Sequence, residues 1–453
     1  MFIGRKKELE VLEKKIDTDR FEFGIVYGRR RVGKTRLLQE IVSKHNAIYY
    51  VANEMGVEYN LKQLSSTIAN YYNESFTFDS FDTLFKYLAD RSLERKTIII
   101  LDEFTHLMST DKEILSVFQN IIDHQLSDSN VKLILSGSHV GMIEDSPTYK
   151  KPLYGRATFK MKVEPFDYYD AAKFYPNVSS VDKVRLYSVF GGVPFCASRI
   201  DGTKSVKENI ISLIIEEGAM FEDEISFFLS QEVRSVATYG KIINAIAMGA
   251  TRLNEISTKS GIANTGTTSK HLDLLITLGI IEKEYCFGES ANSKRTIYKI
   301  KDQLFNFYYT FIEKNQTQKV IMKPSSFYEK VVQSHLDEFV SFEFERVCKD
   351  FLLRLNADDI EEIGRYWYNN AKMKRDIEMD ILMRKSSELF AFECKWTNVR
   401  IGRGIEFELE QKVQYLGDVK IGFFSRNGYD SSVESELLYD VDDLYSLEHN
   451  KGG

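Results

Sequence analysis

The sequence predicts an α/β protein: a parallel sheet with interleaved helices, then a compact helical stretch with a hairpin, then a second α+β unit. Three observations carry this. Short apolar runs at 21–27, 47–52, 97–101 and 131–135 alternate with stretches of helical spacing at 35–45 and 114–126, as in buried parallel strands joined by crossover helices. Beyond about residue 232 the texture turns to short helices followed by an alternating pair at 280–284 and 296–300. From about 326 a helix over 336–353 precedes a strand hairpin near 377–396. A chain of 453 residues exceeds one ordinary domain at roughly 150 residues each. The regions are accordingly read as 1–232, 233–325 and 326–453.

Composition narrows the class. With 43% hydrophobic and 28% charged residues the chain has a soluble globular balance, and only 6 prolines argue against long disordered linkers. A net charge of −7 gives no global pull toward nucleic acid, so any such contact needs local basic patches. Cys196, Cys286, Cys348 and Cys394 are scattered without CxxC pairs or His clusters, which argues against zinc and against a disulfide framework. The first residues turn charged at once, unlike a signal peptide. No apolar run approaches the ~20 residues that span a bilayer. A cytoplasmic protein with no membrane partner is expected.

The run Gly28-Arg29-Arg30-Arg31-Val32-Gly33-Lys34-Thr35 lies between the strand-like Phe21–Tyr27 and a helix starting at Lys34. It matches the full phosphate-loop pattern in the context that pattern requires. Glycines let successive N–H groups and the helix N-terminus face a β-phosphate. Lys34 would reach the β/γ-phosphates and the Thr35 hydroxyl a Mg²⁺ ion. ATP and Mg are therefore the expected cofactors.

A second apolar run ends in Asp102-Glu103. Asp102 is placed for the Mg²⁺ shell and Glu103 for polarising the attacking water. Leu133–Ser138 is a further buried strand ending in polar residues, where Ser136 or Ser138 could sense the γ-phosphate; a plain strand end is the competing reading. Arg156 could neutralise transition-state charge or simply pair on the surface. At least two of Arg29, Arg30 and Arg31 face solvent in this reading, while Arg36 opens the following helix.

Phe2, Gly4, Arg5, Glu8 and Leu9, the phosphate loop, Leu101-Asp-Glu-Phe104, Ser136-Gly-Ser138, Leu153-Tyr-Gly-Arg156 and Gly191-Gly-Val-Pro194 together resemble the archaeal-type ATPase family of the AAA+/STAND group. The resemblance covers nearly the whole chain. It implies that Phe2 to Arg5 lie near the adenine, and that Pro194 belongs to a helical lid touching the nucleotide. A helix-ending turn is the bland alternative for Gly191–Pro194. The resemblance further implies a switch in which ATP drives conformational change or assembly. A homo-oligomer or a protein partner stays open.

In the middle region, Leu253, Ile256, Ile262, Leu272, Leu275 and Leu278 fit two short helices about a turn at Gly261, with the hairpin after them. This looks like a winged-helix domain. Residues 241–299 hold eight Lys and Arg against five acidic residues. Thr265, Thr267, Thr268, Ser269 and Lys270 could face a groove, with Lys294 and Arg295 at the wing tip near phosphates. DNA contact and use as a protein joint both remain open.

At the C-terminal end, a hairpin turning at Ser386–Ser387 sets Asp380 opposite Glu393 and Glu378 opposite Lys395. Strand alternation then puts all four on one side and Ile381, Phe392 and Cys394 on the other. Two adjacent carboxylates repel unless a cation joins them. A Mg²⁺ between Asp380 and Glu393, with Lys395 near the attacking water, is a phosphodiesterase arrangement. The pattern resembles the PD-(D/E)XK nuclease superfamily, of restriction-endonuclease-like fold, in which Glu345 matches an extra acidic ligand; Asp376 is a rival. The expectation is an ATPase whose nucleotide state controls a DNA-binding, nuclease-like tail. The alternative is a signalling ATPase or transcription regulator whose tail binds protein or DNA without cutting.

Overall fold

The computed structural model describes residues 2–111, 113–137, 153, 155–262, 264–290, 293, 295–370 and 375–446, and divides after Pro165 into two units. In the first unit, strands β1 (Glu22–Tyr27), β2 (Ala47–Val51), β3 (Thr97–Asp102), β4 (Val131–Gly137) and β5 (Phe159–Lys162) form one sheet in the order β2-β3-β4-β1-β5. Every pairing is parallel. β3 and β4 are buried along their whole length, as is β1 apart from Tyr27, which is why they read as unbroken apolar runs. Helices Lys6–Ile16 and Lys34–Lys44 share a core with Val26, Ile100 and Ile134, while Val57–Tyr72, Phe81–Glu94 and Ile114–Ile121 share another with Phe23, Ile99 and Leu133. The sheet is thus covered on both faces. All five strands run the same way, so Tyr27, Val51, Asp102 and Gly137 end at one edge, where ligands of open α/β sheets bind.

The expected strands and helices are present, with additions that include helices Lys6–Ile16 and Thr105–Thr110. The helices at 57–72 and 81–94 and the short β5 were not read from the sequence. β5 has only four residues and a single buried position, Met161, too brief a signal for a period to show.

The second unit begins at Phe166. One hydrophobic cluster runs through it from Phe166 to Leu444, including Phe190, Phe221, Phe305, Phe307 and Phe344. Its members lie on both sides of the texture changes read near 232 and 325. Helices Leu253–Ser260 and Thr265–Thr277 are separated by Gly261 at φ 73°, and β6 (Ile281–Tyr285) pairs antiparallel with β7 (Thr296–Ile300). The 20-residue helix Leu336–Leu355 leads into a five-stranded mixed sheet. Its members are β8 (Ile360–Asn370), β9 (Arg375–Lys385), β10 (Glu388–Lys395), β11 (Val419–Ser425) and β12 (Leu437–Asp440), in the order β12-β11-β10-β9-β8. β8, β9 and β10 are antiparallel, and β10, β11 and β12 parallel. Among the described residues no helix is long and apolar enough to cross a membrane.

Candidate nucleotide site and a second acidic cluster

The phosphate loop leaves β1 at Gly28, where φ is 153° and an added Cβ would sit 2.3 Å from the carbonyl oxygen of Val163. Only glycine fits there. Gly33, at φ 91°, caps the Lys34–Lys44 helix with no side-chain bond to the helix N-terminus, so the first-turn N–H groups are left for an anion. The Lys34 ammonium is buried and donates to the carbonyls of Gly28 at 2.9 Å and Arg29 at 3.1 Å. It bridges the loop from below, in reach of what the loop would wrap.

Val32 is fully buried, and its carbonyl accepts from Arg5 Nη2 at 2.8 Å; Arg5 also pairs with Glu8 at 2.7 Å. Arg5 follows Gly4 (φ 63°) and is itself left-handed at φ 61°. The N-terminal segment is therefore clamped to the loop. Phe2 packs against the core that holds Val32 and Leu37. Arg29, Arg30 and Arg31 are partly buried, whereas Thr35 and Arg36 are exposed; the reading that two of the three loop arginines simply face solvent does not hold. Arg31, at φ 67°, adopts a left-handed conformation within the loop.

Asp102 is fully buried at the end of β3. Its Oδ2 accepts from Thr35 Oγ1 at 2.8 Å and Tyr49 OH at 2.7 Å; its Oδ1 accepts from the Glu103 N–H at 3.0 Å and from the Ser136 hydroxyl. Burial first, then Asp102 itself, raises the Tyr49 phenol well above its usual range, so it stays a donor. Glu103 follows at φ 51°, a conformation that non-glycine residues rarely hold. Ser136 is thus engaged with Asp102; Ser138, the other sensor candidate, lies outside the described residues. Tyr49 was missed by the sequence reading. The register of β2 on β3, Tyr49 beside Ile100, is the only signal that would have found it.

Mg²⁺ keeps several waters and needs few protein oxygens when phosphates supply the rest. Thr35 and Asp102, already in contact through hard oxygen atoms, fit such an ion. Of the two readings of Arg156, the structure shows the pairing one. Arg156 forms a two-pronged pair with Asp123, Nε to Oδ1 at 2.5 Å and Nη2 to Oδ2 at 2.6 Å, so its guanidinium is committed within the first unit. Pro194 is the first residue of the short helix Pro194–Ala197 in the second unit. Gly191 (φ 68°) ends the preceding helix, and an added Cβ on Gly192 would overlap the Phe166 carbonyl at 1.6 Å. The Gly-Gly pair therefore has a packing reason of its own.

The second acidic cluster departs further from expectation. Ser386 and Ser387 both have positive φ, 50° and 66°, which is the two-residue hairpin turn that matches strand twist. β10 pairs with β9 in the anticipated register, Glu388 with Lys385 through Phe392 with Ile381. Beyond that the alternation breaks. On β8 only Arg365 separates Gly364 from Tyr366, yet their partners on β9 are Leu382 and Met379, with Asp380 and Ile381 between. Two residues oppose one: a β-bulge, which re-aims the side chain it carries. Met379 and Leu382 accordingly pack in one core and Ile381 in the other. The expected face shared by Glu378, Asp380, Glu393 and Lys395 does not form.

Instead, Asp380 Oδ2 accepts the Cys394 N–H at 2.8 Å and lines a cavity with Glu345 and Arg365. Glu378 pairs with Arg365 rather than Lys395. Glu393, 7% exposed, is held by two ammonium groups: Lys395 at 2.7 Å and Lys412 at 2.9 Å, the latter from helix Arg403–Val413. Burial works to raise the Glu393 carboxyl, but Lys395 and Lys412 together hold it below the usual range. Burial, then Glu393, pushes Asp380 up to about 6; burial, then Asp380, pushes Glu345 up to about 7. Among the described residues no three His, Cys, Asp or Glu side chains gather closely enough to hold a metal ion. The anticipated ligand set Glu345, Asp380 and Glu393 does not fit one as it stands. The Asp376 side chain and Lys294 lie outside the described residues. Thr265, Thr267 and Lys270 are exposed, but Thr268 is buried and bonds Ser257, so it faces the core and not a groove.

The phosphate loop, the buried acid two strands away and the strand order between them define the first unit as a P-loop ATPase domain, and nucleotide binding as its function. Residues 2–196 match the family described as an ATPase domain predominantly from Archaea, and residues 308–406 one described as archaeal and bacterial proteins of unknown function. An uncharacterized protein of Methanocaldococcus jannaschii is 30% identical over 458 residues, 98% of this chain and 100% of the relative. A second from that organism is 22% identical over 64% of this chain and 63% of its own length. The Walker-type ATPase of Pyrococcus abyssi shares the fold at 21% identity and a TM-score of 0.50, covering 68% of this chain and 96% of that one. The chain belongs to this archaeal-type ATPase family.

Proposed function

We propose that this protein is an ATP-hydrolysing switch whose nucleotide state governs a nucleic-acid-binding second unit. The observation that carries hydrolysis is Glu103, held at an unusual φ directly after the Asp102 that Thr35 already touches. In this reading β/γ-phosphate oxygens take over the bonds Lys34 now gives to the Gly28 and Arg29 carbonyls. Thr35 and Asp102 would hold magnesium, which would offset phosphate charge. Glu103 accepts a proton as a water oxygen bonds to the γ-phosphorus, the bond to the bridging oxygen breaks, and ADP leaves. Glu103→Gln should bind ATP normally and lose turnover; hydrolysis at the wild-type rate would remove Glu103 from this role.

For the second unit, the helix pair around Gly261 with the β6–β7 hairpin supports a winged-helix reading, with Thr265, Thr267 and Lys270 exposed for contact with DNA. The mixed sheet and Leu336–Leu355 helix support a restriction-endonuclease-like reading. The state of Glu393 favours binding without cleavage, since its charge is already offset by Lys395 and Lys412. Incubating the full chain with DNA and Mn²⁺ tests this: we expect retention without cutting. Cleavage abolished by Lys395→Ala would restore the nuclease reading.

A further inference from the structure

A cavity of about 640 Å³ opens within the second unit. Tyr298 of β7, Phe311 and Asp380 line it together with Phe342, Glu345 and Lys349 of the Leu336–Leu355 helix, and Glu282, Glu284, Glu338 and Glu343 line it as well. Phe342 is 60% exposed although it lines the cavity, an uncovered aromatic face in a region otherwise tightly packed. Lys314, Lys330 and Lys349 also line the cavity and make no ion pair among the described residues, whereas Arg346 and Arg365 are paired with acids. Unpaired ammonium groups beside an open ring call for a ligand that is both anionic and flat. Half-buried acids in the same lining, Glu345 and Asp380, call for one that also carries N–H donors.

We propose that this cavity takes a nucleotide of single-stranded nucleic acid. The proposal rests on the nucleic-acid-binding reading above and names its substrate class. The volume lies within the range of roughly 300–1,000 Å³ that holds small ligands, a size that suits a nucleotide or two and not a duplex. The backbone phosphates run along Lys314, Lys330 and Lys349. A base stacks on Phe342, a contact that tolerates any base because all have a π-face. Its exocyclic amino group meets the Glu345 and Asp380 carboxyls, as carboxylates accept from cytosine N4.

The test is fluorescence anisotropy on the full chain at low salt with EDTA, using a short labelled oligodeoxycytidylate and a duplex of equal length as competitor. We expect the single strand to bind and the duplex to compete poorly. Phe342→Ala should weaken single-strand binding about tenfold, as losing one base stack does, and Lys349→Met should weaken it and flatten its salt dependence. Phe342 is exposed, so its loss should leave the melting temperature unchanged. Equal competition by the duplex, or unchanged affinity in Phe342→Ala, overturns the cavity as the site while leaving nucleic-acid binding in place. Binding of neither probe overturns both readings.

Discussion

Two buried acids sit on strands in this protein, Asp102 at the end of β3 and Glu393 near the end of β10, and they are answered in opposite ways. Asp102 is surrounded by neutral donors, the hydroxyls of Thr35, Tyr49 and Ser136 and one backbone N–H. Glu393 is surrounded by cations, Lys395 and Lys412. Hydroxyls orient a carboxylate but leave its charge intact, so a divalent ion still gains the full attraction. Lysines use that charge up. The comparison teaches that a buried acid on a strand is a metal ligand only if its partners leave its charge uncompensated.

The largest effect that tests the contrast is on turnover. Lys34→Ala should abolish ATP binding in an equilibrium assay. Glu103→Gln should keep binding and lower kcat by about 10²–10⁴, the usual worth of a general base. A Glu103→Gln enzyme with equal losses in binding and turnover would mean that the residue supports the loop and not the water.

Next is the lysine pair. Converting Lys395 and Lys412 together to Met leaves Glu393 buried without its cations. That should cost about 2–3 kcal/mol in denaturant unfolding, the lower end for an orphaned buried charge because both lysines are partly exposed. Added Mn²⁺ should then stabilise the double variant and not the wild type. Mn²⁺ stabilising the wild type through Glu393 would dissolve the distinction between the two acids.

Glu345 and Asp380 add a pH signature. Both bind their protons more tightly in the folded chain than in the unfolded one. Their favourable contribution is therefore present below about pH 4 and is lost as pH rises through 6 and 7. The second unit should be less stable at pH 8 than at pH 5 by on the order of 2 kcal/mol. Glu345→Gln with Asp380→Asn should remove most of that slope in a melting series. An unchanged slope would place its origin elsewhere.

The smallest expected effect is that of Tyr49→Phe, which removes one hydrogen bond to Asp102, worth about 1 kcal/mol. ATP binding without Mg²⁺ should be unaltered, while the Mg²⁺ concentration for half-maximal hydrolysis rises a few-fold. A change in metal-free binding would make Tyr49 a structural support of the loop.

The sequence reading located Lys34, Thr35 and Asp102 because a phosphate loop is local and its spacing carries its geometry. The Ser386–Ser387 turn and the register after it were legible for the same reason. The bulge at Asp380 was not, since it exists only relative to β8, and nothing within 375–395 records where Arg365 will lie. Lys412 arrives on a helix placed by packing, and Asp123 reaches Arg156 across 33 positions. Contacts of that kind leave no period to read.

The strand order of the first sheet also sets a timetable. β1 carries the phosphate loop and emerges from the ribosome early, but its neighbours β4 and β5 are residues 131–137 and 159–162. Until those arrive, its hydrogen-bonding edges are both open, and such long-range pairing is slow and exposed to aggregation. A nascent chain halted before Lys162 would hold every residue of the nucleotide loop and still lack one edge of the sheet that shapes it.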